Sequence, residues 1–233
     1  MLELTVYPSG FSEISGSPFA VKALCLMEQS GQAYRVKRLA DPRKSPKGKL
    51  PVLRHNDTII PDSDQIRDYM EQTFDCDYDA GLTPTQRGQS RSIIRMVEEH
   101  LYFAVVANRW QTEAHWPITQ KEFFDKMPKI MGLFVPNMIR KGVIKQLIGQ
   151  GMGRHSQQEQ LVRAEKDITA LEAMLANQPY LFGEKHTAAD YSAVAILRTA
   201  ASFPVANTLS KMVQSRSTLM AYIDRGKADF YPK

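Results

Sequence analysis

Leu50-Pro51-Val52-Leu53-Arg54-His55-Asn56-Asp57-Thr58-Ile59-Ile60-Pro61-Asp62-Ser63 carries, in one short run, a strand entry, a hairpin and a helix start. Val52 to Leu53 and Thr58 to Ile60 are β-prone and flank the turn residues Asn56-Asp57. Ser63 then opens a helical pattern that continues to Phe74. Toward the N-terminus, Asp41 to Lys49 is a basic loop rich in Pro, Gly and Ser, and Tyr34 to Leu39 predicts a strand. Further back, Leu2 to Tyr7 alternates as a strand does. A Ser/Gly-rich stretch from Pro8 to Ser17 follows, and a helical period runs from Phe19 to Gln29 and stops at Gly31.

Strand, helix, strand, then hairpin and helix is the order of a thioredoxin-like α/β domain, with helices covering a mixed sheet. This domain is expected over residues 1–76. The segment from Asp75 to Thr83 is acidic and turn-rich, which places a linker at 77–83. Beyond it strand signals almost vanish. Residues 84–233 are expected to form an all-α C-terminal helical bundle, with helices from Pro84 to about His115, His155 to Ala176, Thr187 to Ser202 and Leu209 to Arg225.

The bulk properties agree with a folded chain. It has 233 residues, 43% of them hydrophobic and 24% charged, enough to bury one large core or two small ones. No apolar run is long enough for a membrane span, and the N-terminus lacks the pattern of a signal peptide, so the cytoplasm is the expected location. Cys25 and Cys76 fit neither a disulfide framework nor a Cys/His metal spacing, and no metal site is expected. Glu98, Glu99 and His100 are adjacent in sequence, so they do not share a helix face as metal ligands must. A net charge of +5 favours anionic partners, but no nucleic-acid motif accompanies it.

Ser17-Pro18 reads first as a helix cap, serine at the N-cap and proline at the first helical position. A hydroxyl at the positive end of a helix dipole can also stabilise a bound thiolate. Ser63 likewise caps a helix, whose free N–H groups form an anion site, with Asp62 constraining the turn. Thr187 and Asp190 have capping-box spacing, above Leu181 and Phe182, and their role is structural. Tyr102, Val106, Arg109 and Trp110 share a helical face, read either as domain packing or as the wall of an apolar pocket. From Lys126 to Ser156 there is no acidic residue, and basic side chains interleave with apolar ones. That pattern fits a helical pair packed on the bundle, a lid, or a segment lying on an anionic membrane surface. Gly149 to Gly153 fits no phosphate-loop fingerprint and reads as a flexible turn, and Cys25 as a buried core thiol.

The order of Ser17-Pro18-Phe19, Leu50-Pro51-Val52, Asp62-Ser63 and Thr187-Ala188-Ala189-Asp190 resembles the glutathione transferase superfamily over nearly the whole chain. Longer strings resemble its failed-axon-connections and metaxin-like branch. These are Ser17-Pro18-Phe19 with Lys22, Asp41-Pro42-Arg43-Lys44-Ser45-Pro46-Lys47-Gly48-Lys49-Leu50-Pro51, and Arg95-Met96 with Glu98-Glu99-His100-Leu101-Tyr102. The resemblance implies a glutathione transferase fold with glutathione as co-substrate and a homodimeric assembly. Ser17 matches the position of the catalytic residue in the serine-type and cysteine-type classes. The loop from Pro8 to Gly16 is several residues longer than in common classes, so Tyr7, where tyrosine-type classes keep their phenol, stays open as the alternative, with Ser12 and Ser15 behind it.

The resemblance also implies a cis bond at Pro51, with Leu50 presenting its backbone to the tripeptide as an added strand would. Asp62 and Ser63 would hold the γ-glutamyl end, and Lys49 the glycyl carboxylate. The helical face of Tyr102, Val106, Arg109 and Trp110 would then wall the acceptor-substrate pocket. The expected activity is conjugation of glutathione to an apolar electrophile, or glutathione-dependent peroxide reduction. The alternative is a non-catalytic adaptor that meets a membrane surface or protein partner through residues 126–154.

Overall fold

The computed structural model describes residues 1–125 and 127–232. Four strands, β1 (Leu2–Val6), β2 (Tyr34–Arg38), β3 (Val52–His55) and β4 (Thr58–Pro61), form one mixed sheet in the order β2-β1-β3-β4. β1 runs parallel to β2 and antiparallel to β3, and β3 and β4 make the hairpin around Asn56-Asp57. Leu2, Leu4 and Val6 are buried on one side of β1, the period-2 signature of a sheet with one covered face. α1 (Pro18–Gln29) and α2 (Ser63–Phe74) pack together, and α1 also lies along a helix of the C-terminal region, α9 (Ala188–Ala201). With neighbours on several sides, α1 buries every residue from Ala20 to Met27, Cys25 and Lys22 included.

The thioredoxin-like arrangement joined to a helical region is as expected, but the helices divide differently. The long helix anticipated from Pro84 to His115 is three pieces: α3 (Pro84–Met96), a π-helical turn at Val97–Leu101, and α4 (Tyr102–Trp110). α5 (Trp116–Phe124) follows with Pro117 in its first turn. The basic apolar segment forms the single-turn α6 (Lys129–Gly132) and the long α7 (Val135–Gln150); Lys126, its first residue, lies outside the described residues. α8 (Gln157–Leu175) and α9 match expectation closely. The last anticipated helix is two, α10 (Thr208–Gln214) and α11 (Ser217–Asp229). The break falls at Arg216, whose guanidinium reaches Glu172 at 2.9 Å and Thr169 at 3.2 Å and also pairs with Glu165, pinning the turn to α8.

One further expectation changes. The glycine-rich turn after α7 is packed rather than flexible: Met152 is buried, and a Cβ on Gly153 would lie 2.8 Å from the backbone of Leu147. Residues 77–83 are tied to the helices on either side at their start. The Tyr78 hydroxyl donates to the Leu26 carbonyl at 2.9 Å, and the Ala188 N–H donates to the Tyr78 carbonyl at 2.9 Å. Asp79, buried, accepts from Arg67 at 2.8 Å and from the Ser90 hydroxyl at 3.1 Å, so the acidic residue joins α2 to α3. The Thr187 box forms as expected. The buried Asp190 carboxylate accepts from the Thr187 N–H at 2.7 Å, the Leu181 N–H at 3.0 Å and the Tyr222 hydroxyl at 2.7 Å.

Candidate functional site

Strand register gathers the sequence-predicted residues at one end of the sheet. Val52 pairs with Thr5 on one side and Pro61 on the other. The chain leaving β1 toward Tyr7, the chain entering β3 through Leu50-Pro51, and the chain leaving β4 toward Asp62-Ser63 therefore emerge together. Adjacent strands stand about 4.8 Å apart, so the three exits span roughly 10 Å, the scale of a short extended peptide.

At the first exit, the Pro8–Gly16 loop folds back, with the Gly16 N–H on the Pro8 carbonyl at 2.8 Å, and delivers Ser17 to the start of α1. Ser17 has extended dihedrals and its carbonyl accepts the first helical bonds, as an N-cap does. Its side chain makes no capping hydrogen bond, and the residue is half-buried. The hydroxyl thus stands at the positive helix end with no hydrogen-bond partner among the described residues. Ser15 differs: it is buried and donates to the Tyr7 carbonyl at 3.0 Å. Ser12 is exposed. The Tyr7 phenol is pushed up to about 12, first by burial and then by Tyr102, with the Leu50 N–H acting in the opposite sense. It stays protonated at neutral pH, so it can donate a hydrogen bond but cannot serve as a base.

At the second exit, the Leu50–Pro51 bond is cis. Leu50 is buried, yet among the described residues its N–H and C=O have no backbone partner. An edge without backbone partners is what an added strand completes, and the Leu50 N–H here faces the Tyr7 phenol. Lys49 is exposed. Arg43, in the same loop, forks onto Asp41 at 2.6 and 2.9 Å and is thereby occupied.

The third exit is strained. Asp62 has φ 81° and ψ 135°, a backbone state that costs a non-glycine residue about 1–3 kcal/mol. Its N–H donates to the Pro51 carbonyl at 3.2 Å, and its carboxylate accepts the Asp64 N–H at 2.9 Å. This geometry turns Ser63, buried at the first position of α2, so that its hydroxyl has no partner among the described residues. Free donors at a helix N-terminus favour an anion.

Sequence reasoning missed the charge cluster under this helix end. Lys22, 1% exposed, donates to Glu98 at 2.8 Å and to Asp64 at 3.2 Å. Arg91 contacts Asp64 at 2.5 Å, Arg95 bonds Glu98 at 2.7 Å and Glu99 at 3.1 Å, and the Ser192 hydroxyl donates to Glu98 at 2.7 Å. Three cations thus face three carboxylates. Burial would raise the Asp64 carboxyl, but Lys22, Arg91 and Arg95 outweigh it and hold it at about 2. Asp64 is consequently neutralised from below, which keeps a negative charge in the first turn of α2 from repelling an anionic ligand. The available signal was a lone lysine within the apolar run Phe19 to Met27. The π turn delivers Glu98 to Lys22, and π insertions concentrate at functional positions. His100 goes elsewhere, to Asp167 at 2.5 Å.

The helical wall divides. Half-buried Tyr102 meets Phe19 edge-on with centroids 4.7 Å apart, beside the start of α1, and Val106 lies one turn further on, half-buried. Arg109 is buried. Its guanidinium stacks 3.8 Å from the Phe11 ring centroid and donates to the Thr199 carbonyl at 2.5 Å, and burial lowers it to about 10, so it stays charged at neutral pH. Arg109 therefore clamps the Pro8–Gly16 loop, which the Glu122 carboxylate also holds by accepting the Phe11 N–H at 2.8 Å. Trp110 packs among Trp116 and Phe123 at 5.5 and 5.4 Å. An open groove of about 750 Å³ lined by Cys76, Tyr180, His186 and Asp229 lies at the other end of α1 from Ser17.

Comparison with known proteins agrees with this fold. Residues 18–115 match the model of the glutathione S-transferase N-terminal domain, and residues 164–226 that of the glutathione S-transferase C-terminal domain. The isoprene-epoxide–glutathione S-transferase of Rhodococcus sp. (strain AD45) is 31% identical over 90% of this chain and 90% of its own. Failed axon connections of Drosophila melanogaster is 28% identical over 78% of this chain, and metaxin-1 of Homo sapiens 25% over 81%; the matches span 46% and 42% of those longer proteins. Among solved structures, the beta-etherase LigF of Sphingobium sp. strain SYK-6 superposes with a TM-score of 0.66 at 21% identity, over 97% of this chain and 95% of its own, which shows the shared fold. With both domain models matched and a relative of this identity aligned over 90% of each chain, the chain belongs to the glutathione S-transferase family.

Proposed function

We propose that the protein is a glutathione transferase in which Ser17 donates a hydrogen bond to the glutathione thiolate. The Leu50 backbone pairs with the cysteinyl unit, and Ser63 with the α2 N-terminus receives the γ-glutamyl carboxylate. The observation that carries this reading is the convergence, at one end of the sheet, of the Ser17 and Ser63 hydroxyls, which have no hydrogen-bond partner among the described residues, with the Leu50 backbone, which has no backbone partner there. Lys49, exposed in the loop before Leu50, suits the glycyl carboxylate. Tyr102 and Val106 wall the acceptor side, while Arg109 and Trp110 support that wall through the Phe11 loop.

The chemistry is short. The thiol gives its proton to solvent, the thiolate attacks an electrophilic carbon, a C–S bond forms, and the bond to the leaving oxygen or halide breaks with its electron pair. The 31% identical relative is named for an epoxide substrate, which supports a small apolar electrophile. In that case the ring C–O bond opens and the alkoxide takes a proton from water. Ser17 lowers the barrier by stabilising sulfur's charge, an effect worth about tenfold or more in turnover.

Calorimetric titration with reduced glutathione tests the site, with micromolar to low-millimolar binding expected. Ser17→Ala should retain binding and lose about tenfold or more in turnover with an epoxide or chlorodinitrobenzene. Unchanged turnover removes Ser17 from the catalytic role and passes it to Tyr7. The similarity to failed axon connections and metaxin-1 supports a second reading, an adaptor that keeps the fold without turnover. Absence of glutathione binding by two independent methods would favour it.

A further inference from the structure

The segment from Met127 to Gln158 contains no Asp or Glu, and its helices expose apolar side chains to a degree unusual for a surface. Ile130 is 80% exposed, Leu133 68%, Phe134 73% and Met138 63%. Along α7, Pro136, Arg140, Val143 and Leu147 turn inward at spacings of three and four, and α7 packs against α4. Phe134, Met138, Lys141, Lys145 and Ile148 follow the same spacing on the opposite side, so apolar and basic side chains share the outward stripe. Lys129, Lys141 and Lys145 form no ion pair among the described residues. Arg140 is different: it bonds the Trp110 carbonyl at 2.8 Å and Glu113 at 2.8 Å, and so serves the fold.

We propose that the outward face of α6 and α7, built from Ile130, Leu133, Phe134, Met138, Lys141 and Lys145, docks onto an anionic lipid bilayer. Charge decides between the available occupants. In a two-fold dimer through this face, each copy would set its own lysines against those of the other, with no acid in the segment to neutralise them. An anionic bilayer supplies the counter-charge, and its interfacial zone takes the four exposed apolar side chains that a purely polar polyanion would leave in water. No helix among the described residues is long and apolar enough to cross a membrane, so this is contact with the surface. The inference stands on this face alone and does not depend on whether glutathione is turned over.

The test is cosedimentation of the full chain with vesicles of phosphatidylcholine, with and without phosphatidylserine. Binding to the anionic vesicles, weakened by salt, is expected. Lys141→Glu with Lys145→Glu should lower the partition by roughly 25-fold or more, at about fivefold for each charge near the surface. Phe134→Ser should lower it by roughly tenfold or more. These positions are exposed, so circular dichroism and melting temperature should match the parent, and loss of vesicle binding in a folded variant supports the proposal. No binding to either vesicle overturns it, as does binding that ignores both the anionic lipid and the lysine reversals. A dimer seen by light scattering without lipid, and broken by Phe134→Ser, would give the face to a second copy instead.

Discussion

Replacing Lys22 with methionine tests the cluster that the sequence left invisible. The change keeps the length and most of the volume of a side chain that is 1% exposed, and removes only its ammonium. Glu98 then loses a 2.8 Å partner and Asp64 a 3.2 Å partner. Removing one member of a buried ion pair costs about 3–5 kcal/mol, because the remaining charge is left desolvated. Here Arg95 still bonds Glu98 at 2.7 Å, Arg91 still holds Asp64, and the Asp64 side chain is 20% exposed. The low end, about 3 kcal/mol, follows. For a chain of this size each kcal/mol moves the melting temperature by about 2–4 °C, so a fall of about 6–12 °C is expected.

The acid dependence gives a second readout from the same variant. Asp64 sits at about 2 in the folded protein against an ordinary value of 3.8: burial pushes it up, and Lys22 with Arg91 and Arg95 more than reverses this. Its folded value is below its unfolded one, so its contribution, about 2 kcal/mol, is present above the unfolded value and is lost as pH falls through the folded one. Without Lys22 the carboxyl rises, and acid unfolding of the variant should begin at higher pH than in the parent. Circular dichroism melts at neutral pH and down an acid series measure both effects. Lys22→Met combined with Glu98→Gln should recover about 1–2 kcal/mol of the loss, since the orphaned charge is gone. A melting temperature within about 2 °C of the parent, with an unchanged acid limb, would refute the reasoning that this ammonium holds the carboxylates.

Asp190→Ala removes the shared acceptor of the Thr187 N–H, the Leu181 N–H and the Tyr222 hydroxyl, and should cost about 4 kcal/mol or more in urea unfolding, with Asp190→Asn costing less. A loss under about 1 kcal/mol would contradict the assignment of all three bonds to this carboxylate. Phe11→Ala empties a site 2% exposed and takes the ring from beneath Arg109, so about 3 kcal/mol should be lost. The loop from Pro8 to Gly16 should then become the first site of limited proteolysis, and unchanged protection would show that Arg109 and Glu122 do not rely on the ring to hold it.

Short-range signals carried the N-terminal domain well. Ser63 to Phe74, the turn at Asn56-Asp57 and the cap at Thr187-Asp190 depend on propensities and spacings of a few residues, and each falls where the sequence places it. Likewise, Ser17, Leu50 and Ser63 could be named from short motifs and the family they resemble, and the Thr5–Val52–Pro61 register then brings the strand ends near them together. The helical region was less legible. A helical period continues unbroken through a π turn, since inserting a residue into the hydrogen-bond ladder leaves composition unchanged, and Arg216 ends a helix only because Glu172 and Thr169 on α8 draw its side chain away.

The sequence by itself determined the order of elements, the family and the residues at the three exits of the sheet, because these follow from local pattern. Only the tertiary structure decided what those residues' neighbours are. Lys22 meets Glu98 across 76 positions of chain, Arg109 reaches Phe11 from α4, and Lys141 points outward while Arg140 points in. Such pairings are set by packing between distant segments, where a charge is stable only if folding supplies its partner, and a periodic pattern records that a face is apolar without recording what covers it.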